Sequence, residues 1–174
     1  MKTFVKEYLP YLIVVVIVIL IKIYVVTPVR VTGNSMDDTL KDGDIMILNE
    51  ISYKSRELKR FDIVVIRENN EYIIKRIIGL PGEAIRCKDN VIYINGESLE
   101  DKYGNGVTND FKEVTIPEGK YFVMGDNREV SLDSRRLGPI SYKDIKGTTK
   151  LTVFPFSRFG EKEWLYLKNA FVII

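Results

Sequence analysis

Short runs of β-branched and aromatic residues, separated by turn residues, fill most of the sequence after residue 26. Such runs predict strands, because branched and aromatic side chains fit a pleated surface. Two hairpins are expected, one across Arg67–Glu71 and one closed by Asp89-Asn90. Many short strands at this spacing predict a mainly β fold, either β-barrel-like or a coiled antiparallel sheet. The predicted strands are Val29–Thr32, Asp44–Leu48, Phe61–Arg67, Glu71–Ile78, Ala84–Cys87, Val91–Ile94, Lys120–Met124 and Lys146–Phe154.

An apolar run precedes these strands. Tyr8–Val26 is nineteen residues long and contains one charge. About twenty apolar residues are needed for a helix to cross a bilayer, so the run predicts one N-terminal transmembrane helix. A cleavable signal peptide is not expected, because the run is long and no small-x-small site follows it. Lys2 and Lys6 predict that residues 1–7 are cytoplasmic and that residues 27–174 form an extracytoplasmic domain. The expected location is the cell membrane, single-pass, with the lipid bilayer as a partner.

Two other regions differ in composition from the predicted strands. Residues 97–118 are polar and predict an excursion on the surface. Near the carboxyl end, Phe154–Phe159, Trp164 and Ala170–Ile174 are apolar patches. The last patch is too short to span a bilayer. Ordinary packing and a surface resting in lipid headgroups remain open for these patches.

The chain has no histidine, and Cys87 is its only cysteine. Catalytic triads with histidine and the usual zinc sites are therefore excluded, and no metal or cofactor is expected. Any general base must be Lys, Asp, Glu or Tyr. A lone cysteine without histidine is a poor nucleophile candidate. The net charge of +2, with no basic run, gives no reason to expect nucleic acid as a partner.

Lys75 is the first candidate for a general base. Side chains alternate along a strand, so Ile73, Lys75 and Ile77 share one face and Arg76 lies on the other. One of the two adjacent cations is therefore expected to point into an apolar layer. A lysine desolvated in this way could be neutral near pH 7 and act as a base, which an arginine cannot do. The alternative is that both cations reach solvent at a sheet edge.

Ser35 is a candidate nucleophile in a loop after a predicted strand. Gly33 begins this loop, and a glycine lets the backbone approach a ligand closely. Backbone N–H groups in such a loop can form an oxyanion hole. The alternative is a turn serine or an N-cap for Asp37–Leu40.

Residues 124–138 concentrate polar groups after an apolar strand, with two aspartates, three arginines and two serines. Apolar flanks predict a packed network, in which each buried charge needs a partner. A solvated loop is the alternative. The spacing does not decide between a catalytic and a structural network.

The three segments resemble the boxes of the bacterial type I signal peptidases, peptidase family S26, in their short Gram-positive form. Ser35-Met36 resembles the nucleophile box, and Lys75-Arg-Ile-Ile-Gly-Leu-Pro-Gly-Glu83 resembles the lysine box. Gly125-Asp-Asn-Arg-x-x-Ser-x-Asp-Ser-Arg135 resembles the last box. The resemblance covers nearly the whole chain, including the apolar run at its beginning.

The resemblance implies a serine endopeptidase with a Ser/Lys dyad on the signal peptidase fold. Ser35 would attack the scissile carbonyl and donate its N–H to the oxyanion, Lys75 would be the base, and Ser131 would orient the lysine. Substrates would be precursor proteins with Ala-x-Ala-like cleavage sites, bound as an added strand beside Met36 and Ile73. The implied supporting network consists of Asp126, Arg128, Asp133 and Arg135.

The chain departs from the family pattern at two positions. Gly33 stands where some relatives have a second serine, so one hydroxyl donor is missing. Asp38 stands where the family has proline, and with Asp37 it puts two carboxylates near Ser35. A nearby anion is expected to raise the pKa of Lys75 unless the two acids face solvent. This departure suggests either altered specificity, such as a dedicated pilin substrate, or reduced activity.

Two other functions compete with a processing protease. One is a non-catalytic, membrane-tethered accessory or chaperone that binds extended precursors during export or appendage assembly. The other is a Ser/Lys self-cleaving regulator on a related β fold. The second is disfavoured, because no DNA-binding helices precede the predicted strands.

Overall fold

The computed structural model describes residues 8–18, 27–49, 57–68 and 71–161. These ranges contain twelve strands, a helix α1 at residues 8–18, a short helix α2 at Ser134–Leu137, and two 3-10 turns at Tyr142–Asp144 and Phe156–Arg158. The strands are β1 Thr27–Arg30, β2 Ile45–Asn49, β3 Ile63–Glu68, β4 Glu71–Gly79, β5 Ala84–Lys88, β6 Val91–Ile94, β7 Glu97–Ser98, β8 Phe111–Thr115, β9 Lys120–Met124, β10 Ile140–Ser141, β11 Ile145–Phe154 and β12 Gly160–Glu161.

The strands form two antiparallel sheets. The larger sheet has the order β1-β2-β11-β3-β4-β9-β10, with β12 paired to β11. The smaller sheet has the order β7-β6-β5-β8. Every strand pairing described is antiparallel. The prediction of a mainly β, antiparallel fold is therefore confirmed.

Both predicted hairpins are present. Strands β3 and β4 pair with Val64 opposite Lys75. Strands β5 and β6 pair across Asp89 and Asn90, whose φ values are +53° and +65°. Positive φ at both central residues is the conformation of the two-residue turn that matches strand twist. The turn chemistry read from the sequence is therefore confirmed for this hairpin.

The structure differs from the prediction in residues 97–118. This segment contains β7 and β8, and β8 pairs with β5 in the smaller sheet. Thr108 is 3% exposed and Ile116 is fully buried. In strand β8, Phe111 and Val114 both pack on the core, and the pairing with β5 shifts register between them. The exposed Lys112 and Glu113 lie between these two residues, so the composition of the strand is polar.

The β3–β4 hairpin lies between two clusters of buried side chains. Val64 and Ile77 belong to one cluster, on which Ile73 also packs. Ile74 belongs to a second cluster, which includes Met36 from the loop after β1. The predicted alternation of faces along β4 is confirmed for these isoleucines, and the hairpin carries the candidate base while supporting the candidate nucleophile's loop.

Helix α1 covers the first part of the predicted membrane run, and all of its residues are exposed. Within the described ranges, no helix has both the length and the apolar character that a membrane crossing requires. Residues 1–7 and 19–26, which belong to the predicted cytoplasmic end and anchor, lie outside the described residues. Trp164 and Ala170–Ile174 also lie outside them.

Candidate active site

Ser35 lies in a loop that leaves β1 and returns to β2. Gly33 begins the turn with a φ of +87°, a conformation that glycine adopts at little cost. Its N–H donates to Oδ1 of Asp42 at 2.9 Å and closes the base of the loop. Met36 is 1% exposed and packs in the same cluster as Ile74. The residue after Ser35 is therefore anchored against strand β4.

Lys75 lies within β4 and is buried, with 3% of its surface exposed. Its Nζ lies 2.7 Å from Oγ of Ser35 and 3.0 Å from the carbonyl oxygen of Ile74. The amine is thus within hydrogen-bonding distance of the one hydroxyl that the sequence singled out as a nucleophile. Of the two alternatives for this lysine, the apolar layer is correct and the solvated sheet edge is wrong.

The protonation of Lys75 is set by burial. Burial lowers the pKa of Lys75 from 10.5 to about 8, because apolar surroundings disfavour the ammonium form. Asp133 and Asp126 act in the opposite direction and limit this fall of the pKa. About a tenth of the molecules therefore carry a neutral amine at pH 7, which makes a proton acceptor available without a histidine.

Arginines, rather than the lysine, pair with the two buried aspartates. Asp126 accepts hydrogen bonds from Nε and Nη2 of Arg76 at 2.8 and 2.6 Å. Asp133 accepts from Nε and Nη2 of Arg135 at 2.9 and 2.8 Å and from the N–H of Gly125 at 2.9 Å. Burial alone would raise the pKa of Asp133, but hydrogen bonds from Arg135 and Gly125 hold that pKa below its usual value. Neither carboxylate forms an ion pair with the amine of Lys75 among the described residues.

Arg76 is a member of this network that the sequence did not single out. Alternation along the strand predicted one cation in an apolar layer, but Arg76 is also buried, at 2% exposure. It donates to the carbonyl of Phe61 at 3.0 Å, and its guanidinium carbon lies 3.7 Å from the ring centroid of Tyr103. The sequence held one indication that Arg76 is buried, because isoleucines lie on both faces of its strand. A buried arginine needs an anionic partner, which must come from another part of the chain.

Ser131 lies beside the main chain of the nucleophile loop. It is 8% exposed, and its Oγ has no hydrogen-bond partner among the described residues. A β-carbon placed on Gly125 would overlap both the Ser131 hydroxyl and the carbonyl oxygen of Ser35. Within the described ranges no hydrogen bond joins Ser131 to Lys75, whose Nζ contacts are Ser35 and Ile74. The serine implied to orient the lysine is thus close to the loop that contains Ser35, and its hydroxyl lies near enough to Asp133 to help lower the pKa of that carboxyl.

Arg128 joins the third segment to residues 101–108. It is 4% exposed, and its Nε donates to the carbonyl of Gly125 at 3.0 Å. Its Nη1 donates to Oγ1 of Thr108 at 3.3 Å, and its Nη2 forms an ion pair with Asp101. Arg128 therefore binds residues 101–108 to the third segment, and none of these contacts involves Ser35 or Lys75.

A cleft runs past the dyad. Its larger cavity, about 550 Å³, is lined by both dyad residues and by Gly33, Ile73 and Leu132. A second cavity, about 110 Å³, is lined by Met36 and again by both dyad residues. The residues predicted to bind substrate, Met36 and Ile73, thus border the space in front of the dyad. An extended peptide placed there would pass the hydroxyl of Ser35.

Asp37 and Asp38 were expected to raise the pKa of Lys75, but other carboxylates have this effect. The anions that raise it are Asp133 and Asp126. Asp38 is exposed, and its Oδ2 accepts a hydrogen bond from Nδ2 of Asn105 at 2.8 Å. The acid that replaces the family's proline is therefore engaged by a neutral amide on another segment.

The family model and the known proteins that this chain matches are all signal peptidases. The family model described as signal peptidase, peptidase S26, matches residues 3–154. Signal peptidase I of Bacillus licheniformis is 42% identical over 87% of this chain and 89% of its own length. Signal peptidase IB of Staphylococcus aureus is 38% identical over 83% of this chain and 86% of its own.

A crystal structure of a signal peptidase I from Enterococcus faecalis V583 is also similar to the chain. It is 37% identical in sequence, with a TM-score of 0.49. The aligned region covers 53% of this chain and 97% of that one.

Proposed function

The chain belongs to the signal peptidase family, peptidase S26, and from this we propose that it is a membrane-tethered serine endopeptidase with a Ser/Lys dyad. It removes signal peptides from secreted precursor proteins, with Ser35 as nucleophile and Lys75 as general base. The observation that carries this proposal is the 2.7 Å separation between the buried amine and the hydroxyl. A base needs hydrogen-bonding reach and a pKa near the working pH, and this amine has both.

The reaction proceeds in two acyl-transfer steps. Neutral Lys75 accepts the proton of the Ser35 hydroxyl as Oγ attacks the scissile carbonyl carbon. The resulting ammonium gives this proton to the leaving amine, and the carbon–nitrogen bond breaks to leave an acyl-enzyme. Water then attacks the ester with Lys75 again as base, which releases the signal peptide and restores the serine. Asp126 and Asp133 favour the transient ammonium electrostatically.

The oxyanion of each tetrahedral intermediate is stabilised by the backbone of the nucleophile loop. The N–H of Ser35 is the proposed donor, and among the described residues it donates to no protein acceptor. Gly33 supplies no hydroxyl where some relatives have a second serine. A backbone donor held in place costs little reorganisation at the moment of reaction.

Substrate binds in the cleft as an extended strand. Met36 and Ile73 border shallow spaces that suit small side chains before the cut, in agreement with an Ala-x-Ala-like cleavage site. Val130 and Leu132 also line the larger cavity and are 63% and 53% exposed. Apolar side chains that are left exposed at a cleft suit contact with an apolar substrate segment.

We place the enzyme in the cell membrane, single-pass, with Tyr8–Val26 as the anchor. Residues 1–7 face the cytoplasm and residues 27–174 lie on the extracytoplasmic side. The support is the length and apolar character of the run, together with the lysines that precede it. Confinement to one surface raises the effective concentration of a precursor whose signal sequence is in the same bilayer.

Asp38 leads us to propose a dedicated substrate, such as a pilin. Replacing it by the family's residue, Asp38→Pro, should broaden the range of precursors that are cut. Initial rates against a panel of precursors with different sequences around the cleavage site measure this effect. An unchanged ranking of substrates contradicts a specialising role for Asp38.

The test of the whole proposal uses the purified full chain in detergent or lipid vesicles. A precursor with Ala-x-Ala before the cut should be cleaved once, with the new amino terminus identified by mass spectrometry. Ser35→Ala and Lys75→Ala should each lower the rate by at least about a thousandfold, with unchanged circular dichroism. Binding of precursors without cleavage of any of them supports the accessory function instead.

A further inference from the structure

Residues 101–108 form a segment that contacts three parts of the active site; we call it the bridging segment. Asp101 pairs with Arg128, and the ring of Tyr103 lies against the guanidinium of Arg76. Asn105 contacts the loop that contains the nucleophile. The segment was expected to be a surface excursion, and these contacts give it a specific place beside the dyad.

The backbone of Asn105 is fixed on the third segment. Its N–H donates to the carbonyl of Asp126 at 2.7 Å, and its carbonyl accepts from the N–H of Arg128 at 2.9 Å. Asn105 also forms a β-bridge with Asn127, whose N–H donates to the carbonyl of Ser35 at 3.1 Å. Asn127 is therefore the only residue between Asn105 and Ser35 in this series of main-chain contacts.

The side chain of Asn105 makes the second connection. Its Nδ2 donates to Oδ2 of Asp38 at 2.8 Å, across 67 residues of sequence. Asp38 follows Ser35 by three residues, between the buried side chains of Met36 and Leu40. Asn105 is thus linked to two positions of this loop, to Asp38 directly and to Ser35 through Asn127.

The bridging segment is held firmly enough to fix that side chain. A β-carbon on Gly104 would meet the guanidinium of Arg128 at 2.5 Å, so the segment passes directly over a buried cation. Tyr103 also packs on Phe61, with ring centroids 5.2 Å apart. A donor on a fixed backbone loses little entropy when it binds its acceptor.

Asp38 is a carboxylate three residues from Ser35, whose hydroxyl contacts the amine of Lys75. The acids that raise the pKa of Lys75 are Asp133 and Asp126, and Glu68 and Glu71 line the same cavity as Lys75. A further carboxylate released toward this group would favour its ammonium form.

We propose that Asn105 is a positioning residue for Ser35, because its side-chain amide holds Asp38 and thereby fixes the nucleophile loop and keeps this carboxylate away from Lys75. The inference rests on the proposed function, since it concerns the rate of the same reaction. It assigns Asn105 no contact with the reacting atoms.

The test uses three variants of the full chain. Two are the single substitutions Asn105→Ala and Asn105→Asp. The third is a double variant, Asp38→Asn combined with Asn105→Asp, which exchanges the two side chains and is called the exchanged pair. We expect Asn105→Ala to lower kcat about three- to tenfold, with a smaller change in KM. The midpoint of its pH–rate profile should move to higher pH, because the released Asp38 carboxylate favours the ammonium of Lys75. Asn105→Asp should be slower still, since it places two carboxylates together.

The exchanged pair should return kcat to within about threefold of the original chain and return the pH midpoint as well. Lys102→Ala, on the same segment but 64% exposed, is the matched control and should change neither quantity.

The outcomes separate this inference from the proposed function. If the original chain cuts no precursor, the proposed function fails before Asn105 is tested. If the chain is active and Asn105→Ala and Asn105→Asp match it in kcat and pH midpoint, the inference alone is overturned. It is also overturned if these variants lose activity only in proportion to lost folded protein and the exchanged pair restores nothing.

Discussion

Arg76 forms a buried ion pair with Asp126, with Nη2 and Oδ2 2.6 Å apart, while its neighbour Lys75 has no carboxylate partner among the described residues. Two adjacent cations on one strand therefore have different electrostatic partners. The guanidinium is neutralised by a bidentate contact, which suits its planar geometry. The amine is left with a hydroxyl and a carbonyl oxygen, and desolvation outweighs the opposing charges of Asp133 and Asp126.

Breaking the Arg76–Asp126 pair should destabilise the fold. Arg76→Met leaves the Asp126 carboxylate buried without its partner, which costs about 3–5 kcal/mol of unfolding free energy. Urea denaturation followed by fluorescence measures this loss. Lys102→Met, which removes an exposed pair with Glu100, should cost less than about 0.5 kcal/mol. Equal losses in the two variants would contradict the importance assigned to the buried pair.

The rate of cleavage should rise with pH. Because the base form of Lys75 is the neutral amine and its pKa is about 8, kcat/KM should increase about tenfold per pH unit below 8. It should level off above that pH. The measurement is initial rates between pH 5 and pH 10 at constant ionic strength, and a profile that stays flat from pH 5 to pH 9 excludes a titrating amine as the base.

Removing the amine should stabilise the protein while it abolishes activity. The pKa of Lys75 falls from 10.5 to about 8 on folding, so the unfolded chain binds more protons between these values. The unfolding free energy therefore rises with pH across this window, and the full cost of the buried amine is present below pH 8.

Lys75→Met removes that cost and should raise the unfolding free energy at pH 7 by up to about 3 kcal/mol. Thermal denaturation at pH 7 and pH 10 measures the change, which should be smaller at pH 10. A variant less stable than the original chain at both pH values disagrees with this account.

Gly125 should tolerate no side chain. A β-carbon there would overlap the carbonyl oxygen of Ser35 and the hydroxyl of Ser131, so Gly125→Ala must displace the nucleophile loop. A displacement of about 1 Å can cost about a hundredfold in kcat. Gly96→Ala is the control, because nothing lies within 4 Å of its added carbon; its φ of +87° should lower stability but not kcat. Gly96→Ala should retain full activity, and an equally active Gly125→Ala would show that the close approach is unimportant.

The sequence predicts local features of this molecule better than distant pairings. Alternation of isoleucines around Lys75 indicated that one of two adjacent cations points into an apolar layer, because the period of a strand is a local property. The partner of Arg76 lies 50 residues away, and no local pattern links the two positions. The contact between Asp38 and Asn105 was missed for the same reason. Strand β8 was missed because its charged residues on the solvent face lower its mean hydropathy.

The register of the β3–β4 hairpin has a consequence for evolution of the enzyme. Val64 faces Lys75 and Ile63 faces Arg76, so successive positions present their cations to opposite surfaces. A slip of one residue would exchange these surfaces. A permanently charged guanidinium would then lie beside the Ser35 hydroxyl, and the amine of Lys75 would lie beside an acid. Insertions or deletions in this hairpin should therefore abolish cleavage activity even when the protein still folds. Changes of length at distant surface turns should leave the activity intact.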